Sequence, residues 1–242
     1  IYDMIILDEY QDITEGNTKN LLNGKIKYEY IIGATGTHPK HRSKNILLGE
    51  LDLHELGSIS IDQAVDMELI APYTITTVPV KIDNTDKYVL AGSKAKPFYQ
   101  TEKASYDYLT KKITELGQRM EETGFLRIKR RKLILETRSK IKAAQEFIRS
   151  LSGRTMIFSG SIDISKNFSR NLYNSKTDTK YLDMFKNGEI NTLSVVNSGG
   201  TGHTYEKVDN FVVVQVDSNQ KGNTTQKIAR SLLSQTGYSA NI

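Results

Sequence analysis

At 242 residues, 38% hydrophobic and 25% charged, the chain has the length of one large or two small domains and an ordinary globular composition. It has 17 Gly, 4 Pro and no Cys, which excludes a collagen-like chain, a disulfide framework, a thiolate zinc site and a cysteine nucleophile. The net charge of +5 is uneven, because residues 111–149 hold 12 Lys and Arg against 5 Glu while the remainder is slightly acidic.

Tyr2 to Asp8 reads as a buried strand, and so does Tyr30-Ile31-Ile32-Gly33; Thr14 to Gly24 between them reads as a short helix or loop. Ser60 to Leu69 has helical spacing and stops at Ala71-Pro72, after which Tyr73 to Ile82 alternates as a strand. Residues 84–98 are rich in Asn, Asp, Gly, Ser, Lys and Pro and read as a linker or domain edge. Two helices are expected next, at about 100–122 and 129–151, divided by Thr123-Gly124.

Further strands are expected at 155–159, 193–196 and 211–216, with helices at 181–185 and 225–234. Strands that are apolar on both faces and alternate with helices predict an α/β protein with parallel sheets. The apolar runs at 4–7 and 211–214 are strand-sized and too short to cross a bilayer. No secretory signal opens the chain, so the expectation is an intracellular soluble protein with no membrane partner. Both ends read as strands cut short, Ile1 to Leu7 and Ser239 to Ile242, so the chain is expected to be a fragment.

Three features carry chemistry. The basic stretch is densest at Arg127-Ile128-Lys129-Arg130-Arg131-Lys132, a pattern that fits either a polyanion site or a solvated helix face. Tyr99, Tyr106 and Tyr108 beside it offer rings for base stacking or for a core. Ile5-Ile6-Leu7 runs into the adjacent carboxylates Asp8 and Glu9. At the carboxyl end of a strand, such a pair suits Mg²⁺ held largely through water and a general base for an attacking water. Asp8, Glu9 and Asp12 could instead form a nuclease centre, although no second acidic cluster accompanies them. His38, His41, His54 and His203 lack metal-ligand spacing.

Taken in order, several segments resemble those of superfamily 2 DNA helicases and translocases, relatives of the DEAD/DEAH-box groups of phage or bacterial type. Asp8-Glu9-Tyr10-Gln11 is similar to the D-E-x-x box, and Gly33-Ala34-Thr35-Gly36-Thr37-His38-Pro39 to the G-x-T-A-T-P segment. Thr155 to Ser161 resembles the strand opening the second motor domain. Ser198-Gly199-Gly200-Thr201-Gly202-His203-Thr204 with Val208-Asp209-Asn210 resembles motif V, and Gln226-Lys227-Ile228-Ala229-Arg230 resembles Q-x-x-G-R-x-x-R.

The resemblance implies two RecA-like domains with parallel sheets: the first, incomplete, within 1–92, a linker and basic helical insertion at 93–152, and the second at 153–242. It implies an ATP- and Mg²⁺-dependent helicase or translocase working on single-stranded or branched DNA, or on RNA, in the cytoplasm of a bacterial or phage-infected cell. Asp8 and Glu9 would hold Mg²⁺, with Glu9 activating water. Gln11, Gly200, Gly202 and Gln226 would contact nucleotide, and Arg230 would stabilise charge on the γ-phosphate. Thr35 and Thr37 would couple nucleotide state to nucleic acid, which Ser159, Lys129, Arg130 and Arg131 would hold.

Three departures stand against this. No G-x-x-x-x-G-K-[ST] loop occurs, since the Gly24-Lys25 pair is followed by Ile26. Ala229 replaces the family's Gly, and Leu233 stands where a second Arg is expected. Asp8-Glu9-Tyr10-Gln11-Asp12 also resembles the D-E-x-Q-D of superfamily 1, but 33–39 lacks that family's Gln. Without the phosphate loop this chain alone is expected to hydrolyse little ATP. The alternative is a non-catalytic nucleic-acid-binding module derived from a helicase.

Overall fold

The structure is a computed structural model describing residues 1–8, 10, 13–35, 42–174, 176–196, 208–215 and 240–241. It divides into two compact units, Ile1–Leu69 and a second beginning at Ile70.

In the first unit, β1 (Tyr2–Asp8) is followed by α1 (Glu15–Leu22), β2 (Tyr28–Ala34), α2 (Arg42–Gly49) and α3 (Ile61–Asp66). The α1 helix starts where the Thr14 hydroxyl accepts the Asn17 amide at 3.2 Å, and a Glu15–Lys19 ion pair at 2.7 Å spans its first turns. It returns the chain so that β1 and β2 pair in parallel, Tyr2 opposite Tyr28 through Asp8 opposite Ala34. Ile5, Leu7 and Ile31 pack on Leu21, Leu48 and Leu51 from the helical side. The other face carries Tyr2, Met4, Ile6, Tyr30 and Ile32, all exposed. The sequence predicts strands buried on both faces, whereas here only one face is covered.

The second unit contains β3 (Tyr73–Thr74), the hairpin β4 (Val89–Ser93) and β5 (Lys96–Gln100), then α4 (Glu102–Gln118), α5 (Gly124–Leu135) and α6 (Arg138–Ser150). After these come β6 (Thr155–Ser159), α7 (Ile162–Ser165), β7 (Leu172–Tyr173), α8 (Lys180–Lys186), β8 (Thr192–Val196), β9 (Asn210–Val213) and β10 (Ala240–Asn241). Six strands form a parallel sheet in the order β3-β10-β9-β6-β8-β7. Its core joins Met156, Phe158, Leu193, Val195 and Phe211 to Leu182 and Phe185 of α8. The Phe158 and Phe211 rings stack at 6.4 Å across β6 and β9.

The helix expected at 225–234 lies outside the described residues. Elsewhere three expectations differ from the structure. The alternating run 73–82 forms a strand only at Tyr73–Thr74, because beyond Thr74 no neighbouring strand pairs with it among the described residues. Ile75, Val78 and Val80 are exposed there. The polar stretch 84–98 contains a β-hairpin, with Gly92 opposite Pro97. Gly92 takes φ +87, and the Lys96 carbonyl and Phe98 ring crowd the place a Cβ would take. The helix expected at 129–151 is two helices broken at Glu136-Thr137, where Tyr88 and Glu102 supply partners for the first amides of α6.

Candidate functional site

The carboxyl ends of β1 and β2 lie side by side. Because Leu7 pairs with Gly33 and Asp8 with Ala34, Asp8 and Thr35 share one edge of the sheet. The ring of Tyr10 folds back over β2, so that a Cβ on Gly33 would stand 2.9 Å from its Cδ1. Glycine at 33 therefore lets the segment after Asp8 rest on the segment before Thr35. Two stretches that are distant in sequence meet at one strand edge, the usual ligand position in open α/β sheets. Asp8 is exposed there. Glu9, Gln11 and Thr37 lie outside the described residues.

Among the described residues, no cluster of three or more His, Asp or Glu could hold a metal. Of the described residues at this edge, Asp8 offers a single carboxylate, short of the set of oxygens that an all-protein Mg²⁺ site needs.

In the second unit, Ser159 ends β6 with its hydroxyl buried and donating to the Ser161 carbonyl at 3.3 Å. The Ser161 hydroxyl caps α7 by accepting the Ile164 amide at 3.3 Å. Next to them, the Gly160 amide donates to the Gln215 side-chain oxygen, and Gln215 Nε2 donates to the Leu135 carbonyl at 2.7 Å. One side chain thereby joins the end of β6 to the last turn of α5, where helix carbonyls lack intrahelical partners. Sequence reading missed Gln215, which it placed inside the strand expected at 211–216; the observed strand ends at Val213 and leaves the amide beyond it.

The start of β6 is fixed by Asp209, which the sequence suggests only as the tail of a glycine-rich motif. Its carboxylate accepts the Arg154 amide at 2.6 Å and fills the space beside Gly153, whose φ is +88. The Arg154 guanidinium lies over the Phe185 ring, 4.6 Å from its centroid, and donates to the Phe185 carbonyl. Gly200, Gly202, Gln226 and Arg230 lie outside the described residues.

The densest part of the basic stretch, 127–132, lies on α5, which packs against α4. Leu126, Arg130 and Leu133 are half-buried, while Phe125, Arg127, Ile128, Lys129, Arg131 and Lys132 are exposed. Arg130 turns inward: it donates to the Thr110 hydroxyl at 3.3 Å and lies 5.8 Å from the Tyr106 ring centroid. Lys129 and Arg131 face solvent. Of the three tyrosines, Tyr106 is half-buried while Tyr99 and Tyr108 are exposed.

Among the described residues, Glu102 is the charged side chain that is fully buried. Burial alone pushes its carboxyl up, but hydrogen bonds from the Ser139 side chain, Tyr88 and the Ser139 and Asp83 amides outweigh it and hold the group below its ordinary value. Tyr88 is pushed up to about 12, first by burial and then by its bond to Glu102. Among the described residues, no helix is long and apolar enough to cross a membrane.

No family model and no curated protein matches the chain. Among solved structures it is similar to S. cerevisiae Dbp5 bound to RNA and ADP BeF3, at 10% identity and a TM-score of 0.48, covering 99% of this chain and 52% of that one. It is also similar to the Pyrococcus furiosus Hef helicase domain, at 12% identity and a TM-score of 0.45, covering 99% of this chain and 70% of that one. The chain thus spans about half the length of the Dbp5 chain. Its own fold is α/β, built on parallel strands.

Proposed function

We propose that this chain is part of a nucleic-acid motor of the superfamily 2 helicase type, acting on DNA and driven by ATP with Mg²⁺. The observation that carries the reading is the meeting of the Asp8 and Thr35 segments at one strand edge, with Tyr10 over Gly33. Segments resembling the D-E-x-x and G-x-T-A-T-P motifs need that adjacency if one is to sense nucleotide and the other to transmit its state.

In this reading Asp8 and Glu9 hold Mg²⁺ and Glu9 orients the attacking water. Gln11, Gln226 and Arg230 contact the triphosphate, and Thr35 and Thr37 answer to it. The first motor domain ends within 1–92, the basic helices of 93–152 grip nucleic acid, and the second motor domain begins at 153. The bare apolar face of β1 and β2 supports a first domain completed by further strands and helices, because parallel sheets are covered on both faces.

A second reading, a nucleic-acid-binding module without catalysis, draws on the missing G-x-x-x-x-G-K-[ST]. Reading the coding DNA upstream of Ile1 separates the two. An in-frame strand followed by that loop supports the motor, and Asp8→Asn in the longer protein then abolishes DNA-stimulated ATP hydrolysis. A start codon directly before Ile1, with DNA affinity indifferent to Mg-ATP, supports the binding module.

A further inference from the structure

The chain holds two Asn-Gly pairs, Asn23-Gly24 and Asn187-Gly188. Each closes a helix: the asparagine is the C-cap of α1 or α8, and the glycine takes the left-handed position after it, at φ +66 and +76. All four residues are exposed. At both glycines nothing stands within 4 Å of the place a Cβ would take, so the amide nitrogen after each asparagine is unshielded.

Folding restrains both pairs in the same way. With ψ at 5 for Asn23 and −5 for Asn187, the next nitrogen is turned away from the asparagine side chain. The Gly24 amide donates to the Leu21 carbonyl at 3.2 Å, and the Gly188 amide to the Phe185 carbonyl at 3.1 Å. Neither pair can react until its helix end opens. The two ends differ in what opening costs. Asn187 Nδ2 donates to the Glu189 carboxylate at 3.2 Å, and α8 lays Leu182 and Phe185, each 1% exposed, into the core of the six-stranded sheet. The α1 helix has eight residues, and its Leu21 packs beside strands whose other face is bare. Opening is easiest where buried apolar contacts are fewest.

We propose that Asn23 is a site of spontaneous covalent modification, deamidation through a succinimide, and that it reacts well before Asn187. The Gly24 nitrogen attacks Asn23 Cγ and closes the ring with a new C–N bond. The side-chain nitrogen leaves as ammonia, carrying the proton lost from the glycine amide. Water then opens the ring, at Cγ to give aspartate or at the main-chain carbonyl to give isoaspartate; nothing is oxidised or reduced. Both products put a negative charge beside the carbonyl end of α1, where the helix dipole opposes it. Isoaspartate also adds a methylene to the main chain between α1 and β2, the connection that sets Leu7 opposite Gly33 and Asp8 opposite Ala34. The strand edge carrying Asp8 is therefore the part of the fold that ages first, whatever the chain acts on.

The test ages the whole chain in neutral buffer and in urea, with samples digested for mass spectrometry. Fragmentation places each amide turned to acid, and the methyltransferase specific for isoaspartate marks that product. In urea the two pairs should react at similar rates, because both are then open Asn-Gly segments. In buffer, product at Asn23 should form about tenfold faster than at Asn187. Both rates should rise with pH, since the attacking nitrogen must shed its proton. Asn23→Gln has a longer side chain that closes a ring far more slowly. It should stay unmodified at 23 and keep hydrogen-exchange protection in β1 and β2 on ageing, while the parent chain loses it. Equal rates in buffer, faster reaction at Asn187, or no product at Asn23 in buffer while urea yields it overturns the proposal. Product at Asn23 with unchanged protection in β1 and β2 overturns the consequence drawn for the strand edge.

Discussion

The Glu102 carboxylate accepts both the amide and the hydroxyl of Ser139, at 3.1 and 2.5 Å, and so caps from α4 a helix that begins a long way down the chain. The Asp83 amide at 3.1 Å and the Tyr88 hydroxyl complete its set of donors. Thr137, the N-cap of α6, makes no side-chain cap bond itself. Glu102→Ala should therefore destabilise the second unit by about 3 kcal/mol, because it strands buried amides as well as removing bonds to a charge. Urea unfolding followed by far-UV circular dichroism measures this, and Glu102→Gln should recover part of the loss.

The same group sets a pH dependence. A carboxyl held below its ordinary value of 4.5 in the folded chain contributes stability that is fully present above that pH and is lost as pH falls through the folded value. Tyr88 acts at the other end of the scale. Its contribution is present below pH 10 and is lost as pH rises toward about 12. Unfolding midpoints from pH 3 to 7 should fall on the acid side less steeply in Glu102→Gln than in the parent chain; equal slopes would remove Glu102 from the account.

At the strand edge, Gly33→Val should force the Tyr10 ring aside and cost about 1–3 kcal/mol. Removing the ring first should cancel most of that cost, so a double-mutant cycle of Gly33→Val with Tyr10→Ala measures the contact directly. Independent, additive effects would mean that the ring does not rest on Gly33 in solution.

The bare face of β1 and β2 gives a prediction about association. Tyr2, Met4, Ile6, Tyr30 and Ile32 are exposed together on two strands, and such patches drive self-association or await a covering element. The isolated chain should bind a dye sensitive to apolar surface and elute as more than a monomer at high concentration. Ile6→Lys with Tyr30→Lys should reduce both signals while the Leu21–Leu48–Leu51 core on the opposite face stays folded.

Much of this architecture was legible from hydrophobic periodicity. Thr155–Ser159 and Thr192–Val196 are short continuous runs, and both became buried parallel strands. The hairpin at 89–100 was not legible, because its turn and its Gly92–Pro97 pair share the composition of a linker. The break before α6 was hidden for a different reason: its amides are satisfied by Tyr88 and Glu102, which local sequence does not connect to Arg138 and Ser139. Asp8 could be found as a carboxylate ending an apolar run. Gln215 could not be assigned a partner, since it bonds Leu135 across 80 residues.

That last bond ties the base of α5 to the end of β6, through the side-chain amide that also accepts from Gly160. Arg130, further up the same helix, is tied in turn to Thr110 on α4. At about 1.5 Å per residue the two ties stand about 7.5 Å apart along α5. A displacement at that strand terminus therefore cannot tilt α5 by itself: it carries α4 along or breaks the Arg130 bond.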